Sequence, residues 1–252
     1  IAQFEGLSLD QADEMDILEA NGSVNFGSNK AYRAMLKKIK AGSPATNPDD
    51  LQYILDNVDV DNLFEYMALE MFVGNSDIGN IRYYRLHQEG SKWKWIWYDA
   101  DYGLYSSKFN SPWSYLKVKG MGEQKIDNTI FLKLLEHPDY KRKFLEKLAD
   151  VYKTFTTEYM TQVLDGVVAE IQPEMKNHWE RWGELNDKAV TSEVPTTIDG
   201  AYTYWESRVN RLYNTLKVRP HRLWDFIKDE FKLTKTEMEE LFGPQPDYPD
   251  DA

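Results

Sequence analysis

Four oxygen-bearing side chains stand out by type and spacing: Asp77 and Asn80 in "GNSDIGN", and Asp99 and Asp101 in "WYDADYG". Between them lie two runs of strand-favouring residues, "IRYYRL" and "KWKWIWY", joined by the polar turn "HQEGS". A hairpin over Ile81–Leu86 and Lys92–Tyr98 carries the second pair back beside the first. Carboxylate and carboxamide oxygens gathered in this way suit a hard cation such as Mg²⁺. The order carboxylate, Asn, strand, turn, strand, carboxylate also fits phosphoryl transfer to a hydroxyl. That chemistry needs one carboxylate to orient the acceptor, and an Asn and a second Asp for the metal. Asn80 follows Asp77 by three residues, a shorter step than the usual protein-kinase loop takes. The competing reading is that both clusters are turn punctuation, because Asp, Asn and Gly end strands and helices on local grounds alone.

Other chemistries find less support. An EF-hand loop starting at Asp99 fails, because Gly103 stands at its fifth position and Asn110 at its twelfth. A DxDx(T/V) phosphatase motif fails at Gly103, which occupies the Thr/Val place. The chain has no cysteine, which removes disulfides, zinc ribbons and thiol nucleophiles. His87, His137, His178 and His221 stand singly, without metal-ligand spacing, and no serine-hydrolase elbow accompanies them. Thirty basic against 42 acidic residues, a formal charge of −12, argue against nucleic acid as a partner and favour basic ones. No apolar run approaches the ~20 residues of a membrane span. The first residue is Ile1 and no leader is visible, so a fragment or processed product is expected.

The elements that must position these residues follow from hydrophobic period. Leu63, Phe64, Met67, Ala68, Met71 and Phe72 give a helix over Asp59–Phe72 that runs into the Asp77 loop. A shorter helix fits Ala31–Ala41, followed by the loop "GSPATNPDD"; residues 1–30 mix acidic and small residues and end in a turn-rich patch. After Gly103 comes an irregular stretch holding Gly120 and Gly122, whose aromatics Tyr102, Tyr105, Phe109, Trp113 and Tyr115 would floor a groove or enter the core. Helices should cover most of 130–242, one marked by Phe144, Leu148, Val151 and Phe155, another by Trp205, Val209, Leu212 and Leu216. "HWERWG" suggests a helix closed by Gly183, and Arg219–Pro220 a helix junction. Thr234 with Glu237 forms a capping box for a last helix that Gly243 ends. The fold class is mainly α, or α+β, with one central hairpin. The single domain is expected over 1–243, with 244–252 an acidic, proline-rich tail that frays or begins a linker.

At these residues the chain resembles the CotH family of atypical protein kinases. The resemblance runs through "ILEANGSVNFGSNKAYRAMLKKI", "YMALEMFVGNSDIGNIRYYRL" and "KWKWIWYDADYGL". It continues in "IFLKLLEHPDYKRKFLEKLADVY", "EIQPEMKNHWERWG" and "YWESRVNRLYNTLKVRP". It implies the C-terminal, helical lobe of a protein-kinase-like fold, using ATP and Mg²⁺ to phosphorylate Ser or Thr of protein substrates. Carried over, Asp77 is the catalytic carboxylate, Asn80 and Asp99 are magnesium ligands, and Asp101 supports the same site. The nucleotide-clamping lobe is then expected ahead of Ile1, leaving this part inactive alone. A basic, Ser/Thr-containing protein is the expected substrate, and the extracellular space or a cell or spore surface the expected location. The alternatives are a non-catalytic surface-adhesion or protein-binding module of the same fold, and a metal-dependent phosphohydrolase.

Overall fold

The computed structural model describes residues 1, 3–8, 14–117, 126–189, 195 and 197–249, the side chains of 183–189 excepted. The stretch with Gly120 and Gly122 lies outside the described residues. The chain is mostly helical, with one antiparallel sheet in the order β2-β1-β3-β4.

The hairpin expected from sequence is present as β3 (Arg82–Leu86) and β4 (Lys94–Ile96), in the register Tyr83↔Trp95. A second hairpin, β1 (Met15–Glu19) with β2 (Ser23–Phe26), extends the sheet on the β3 side, Leu18 facing Tyr83. The sequence alone predicts only a turn-rich patch here. The turn itself is real, with Ala20 and Gly22 at positive φ (47° and 88°), but it closes two strands. β2 is an exposed edge strand, so no alternation of burial marks it. The inner face of the sheet buries Leu18, Tyr83, Trp93 and Trp95. Helix α1 (Lys30–Ala41) lays Tyr32 on Tyr83, ring centroids 4.6 Å apart, and buries Met35 and Ile39 beside it. Helix α2 (Pro48–Asn57) occupies part of the stretch assigned to a loop. Asn47 caps it and Pro48 opens it, a start signal inside the polar run.

Helix α3 (Val60–Val73), capped by Asp59, is buried on almost every side and forms the axis of the molecule. A short α4 (Ser111–Tyr115) flanks it, α6 (Pro138–Thr154) packs along it, and α5 (Thr129–Leu135), set against α1 and α6, reaches it through Phe131. Phe64, Phe131 and Phe144 meet edge to face, the last two at 4.8 Å. Helices α7 (Thr157–Ile171) and α8 (Met175–Ala189), joined by a 3-10 turn, run back along α9 (Ile198–Phe231). α10 (Lys235–Phe242) opens with the expected Thr234–Glu237 capping box and ends at Gly243.

Two local expectations are corrected. α8 passes through Gly183 instead of ending there. α9 is continuous through Arg219–Pro220. Pro220 lacks the N–H that would bond Leu216 O one turn earlier, and Thr157 Oγ1 donates to that carbonyl instead, at 3.1 Å. The described part of the tail lies against α9. Pro246 O accepts from His221 Nδ1 at 2.6 Å, and Tyr248 stacks edge-on against the His221 ring.

Candidate active site

Helix α3 delivers the loop that bears Asp77. It stops at Gly74, whose φ of 64° and ψ of 47° reverse the chain in the left-handed region. The side chain of Asn75 then accepts from the Asp77 backbone N–H at 3.1 Å, and Asn80 N–H donates to Asp77 O at 3.1 Å. Two turns of backbone therefore fix Asp77 and Asn80 relative to the helix end. Both side chains are half-buried.

The hairpin returns the second cluster to them. The Asn80 amide donates to the Asp99 carboxylate and accepts from the Tyr98 hydroxyl. Arg82 lies over the Tyr98 ring at 4.8 Å. The Tyr98 pKa is raised, first by burial, with Asp99, Glu19 and Asp77 adding and Arg82 opposing, so the hydroxyl stays a donor. Asp99 adopts a positive φ of 53°, uncommon for a residue other than glycine. The chain after it is anchored back on α3. Leu104 N–H donates to Val73 O at 2.6 Å, and Gly103 lies so close that a Cβ there would stand 3.0 Å from the Val73 side chain. Of the four candidates, Asn80 and Asp99 touch. Asp77 lies near enough for its charge to act on Tyr98, Tyr115 and Glu70. Asp101 is exposed, in the turn before Gly103.

Two residues beneath the site were not singled out from sequence. Arg219, on α9 and 1% exposed, spreads its guanidinium under the end of α3. It donates to Met71 O at 2.9 Å, Phe72 O at 3.0 Å, Phe109 O at 2.7 Å and Ser111 Oγ at 2.7 Å. A cation against the last carbonyls of a helix complements its dipole. The only sequence signal was the "RP" pair, which marks a proline and not a cap. Glu70, also 1% exposed, accepts from Tyr115 OH at 2.7 Å. Its neighbours on α3 are apolar, and a lone Glu on such a face carries no pattern. The aromatics of the following stretch divide: Tyr102 and Tyr105 are exposed, whereas Tyr115 is buried. Arg211 covers Tyr105, 4.3 Å from its ring.

The donor set fits a hard divalent cation in kind, since Asp77, Asn80 and Asp99 offer only oxygen once the amide turns. A half-turn of the Asn80 amide sets Oδ1 beside Asp99 and leaves Nδ2 against the Tyr98 oxygen, which accepts. Among the described residues no three His, Cys, Asp or Glu side chains form a ready metal cage. Mg²⁺ does not require one, because it retains waters and takes one or two carboxylates together with substrate phosphates.

No curated protein and no solved structure matches the chain. A family model described as "CotH kinase protein" matches residues 4–223. The match contains both clusters, the hairpin between them and Arg219, and the chain belongs to the CotH kinase protein family.

Proposed function

We propose that this chain is the helical catalytic lobe of a CotH-type protein kinase, transferring phosphate from ATP to Ser or Thr of a protein. The observation that carries the reading is the contact of Asn80 with Asp99 across the hairpin, with Asp77 fixed to Asn80 through the loop backbone. When bound, ATP with Mg²⁺ supplies the phosphoryl group and neutralises its charge. Asn80 and Asp99 would hold the metal, and Asp101 would support them from the turn that follows. Asp77 orients the acceptor hydroxyl and takes its proton. Tyr98 steadies Asn80, and the rigid end of α3 keeps Asp77 from drifting, which matters because this reaction depends mainly on positioning. The charge of −12 favours a basic substrate protein. No helix of the described residues is long and apolar enough to cross a membrane, and the family resemblance favours a surface or extracellular setting.

The test is transfer of radiolabelled phosphate from ATP to a basic, Ser/Thr-rich protein by the full-length protein. Asp77→Asn should lose at least ~100-fold in transfer while keeping ATP affinity. Asp99→Ala should weaken the metal-dependent part of nucleotide binding. Full transfer by Asp77→Asn removes the mechanism. A second reading, a protein-binding module of the same fold, is favoured by the exposed Tyr159, Val163, Val167 and Ile171, one turn apart along α7. It would then lead.

A further inference from the structure

Arg82 stands two residues after Asn80, on β3, and pairs across the sheet with Ile96 of β4. Tyr83 turns into the core, so Arg82 takes the other face of the sheet. There its guanidinium carbon lies 4.8 Å from the centre of the Tyr98 ring, whose hydroxyl donates to Asn80. Asn80 in turn donates to Asp99. Arg82, Tyr98, Asn80 and Asp99 therefore form one chain of contacts that ends at the two residues assigned to the metal.

The carboxylate opposite does not take the guanidinium. Glu19 faces Arg82 across β1 and β3, but its Oε2 stays 3.8 Å from Arg82 Nε, outside hydrogen-bond reach. That oxygen accepts from the Asn25 amide instead, at 3.3 Å. Arg82 Nε is buried without a hydrogen-bond partner among the described residues, while the side chain as a whole is 41% exposed. The ring face attracts the charge of the guanidinium and uses none of its N–H donors. The arginine thus brings a positive charge and uncommitted donors to the strand that leads from Asn80.

We propose that Arg82 is an anion-binding residue of the site and takes a phosphate oxygen of the nucleotide's polyphosphate. The inference deepens the phosphoryl-transfer reading and rests on it for the identity of the anion. Charge argues for it. Asp77, Asp99 and Asp101 together repel a polyphosphate, and a guanidinium beside them lowers that repulsion. The residue type argues for it as well. A planar fork of N–H groups matches phosphate oxygens in pairs, whereas a Lys in the same place would supply a point charge. A purely structural cross-strand partner for Glu19 would close the hydrogen bond that the two side chains leave open.

The test uses the full-length protein with Arg82→Met, which keeps an apolar stem beside the Tyr98 ring and removes charge and donors. Calorimetric titration with magnesium tripolyphosphate reports the anion site, and titration with adenosine reports the base. Mn²⁺ affinity, from electron paramagnetic resonance titration without nucleotide, reports Asn80 and Asp99. Arg82→Met should weaken tripolyphosphate about 10–100-fold, the usual worth of a hydrogen bond to a charged group. Arg82→Lys should restore part of that loss. Adenosine should bind as before, and Mn²⁺ no more weakly. If Arg82→Met does not fold, Glu19→Gln removes the opposing charge and keeps an acceptor for Asn25. It should tighten tripolyphosphate about 2–5-fold, and no change there overturns the inference. Tripolyphosphate affinity that is unchanged in folded Arg82→Met, or undetectable in the unsubstituted protein, also overturns it. So does weaker Mn²⁺ binding, which would show Arg82 steadying Tyr98 and Asn80 instead, or weaker adenosine binding, which would place it against the base. If tripolyphosphate depends on Arg82 while no phosphate passes from ATP to protein, the anion site stands and the kinase reading falls.

Discussion

Arg219 is buried, no carboxylate among the described residues pairs with it, and burial pulls its pKa down to about 9, still above neutrality. Its charge is met by three carbonyls and one hydroxyl, all at or near the turn that precedes the site. Arg219→Leu leaves those acceptors unpaired and should destabilise the protein by roughly 3 kcal/mol or more in urea unfolding. A loss under ~1 kcal/mol would show that water or a neighbour replaces the guanidinium. Gly74 faces the same group: a Cβ there would stand 2.6 Å from Arg219 Nη2, on a backbone already at positive φ. Gly74→Ala should therefore cost about 1–3 kcal/mol and cost less once Arg219 is Leu, because only the backbone strain is then left. Glu70 gives a pH signature. Burial raises its pKa above the ordinary 4.5, aided by the charge of Asp77 and outweighing the bonds from Tyr115, Asn75 and Trp97. The folded state then holds the proton more tightly than the unfolded chain. Stability should fall as pH rises from about 4.5 through the folded pKa, and Glu70→Gln should remove that slope. Equal slopes for the two proteins between pH 4.5 and 8 would contradict this assignment. The roles of Arg219 and Glu70 were not legible in the sequence, since a cap supplied from another helix and a buried acid both depend on contacts distant in the chain.

At the scale of elements, α9 shows how a breaker can be accommodated. Proline at position 220 removes a helix hydrogen bond, and α7 contributes Thr157 to the carbonyl of Leu216 left behind. Tyr152 OH, from α6, donates to Pro220 O at 3.1 Å and holds the same turn from another side. Thr157→Val should cost about 1 kcal/mol, the ordinary net value of such a bond. In a Pro220→Ala background the restored backbone N–H serves Leu216 O, so the same substitution should cost little. Additive effects in that cycle would mean that the threonine does not compensate for the proline. The sequence rule that a helix ends before proline fails here because the compensating group is 63 residues away in the chain. Where the determinants are local, the sequence sufficed. The capping box at Thr234, the stripe of α3 and the strand-favouring runs of β3 and β4 were all legible. The strands of the first hairpin were not, because β2 lies exposed at the sheet edge and only β1 has a buried side.

At the scale of the whole molecule, burial is unevenly distributed, and the site occupies the well-packed part. The sheet, α1, α3, α5, α6, the second half of α9 and α10 share one core around Phe64, Phe131, Phe144, Leu148 and Trp224. The arm formed by α7, α8 and the first half of α9 is different. No residue of α7 is buried, and α9 buries only Ala201 before Thr215. Helices that short of buried contact are held by propensity, caps and a few polar bonds, such as Thr156 on Tyr159 N–H and Tyr213 on Asp165. Opening the arm exposes little apolar surface beyond what Tyr159, Val163, Val167 and Ile171 already show, so it should cost much less than global unfolding. Native-state hydrogen exchange should separate the two. Amides of α7 should exchange by sub-global opening, at a free energy nearly insensitive to Arg219→Leu. Amides of α3 and α6 should exchange only with global unfolding and shift by the full amount that substitution costs. Because Asp77, Asn80 and Asp99 hang on α3 and the hairpin, a substitution that loosens the arm, such as Val168→Gly on its half-buried inner face, should leave Mn²⁺ affinity unchanged. Protection of α7 equal to that of α3, or loss of Mn²⁺ binding on loosening the arm, would show that the arm and the site form one cooperative unit.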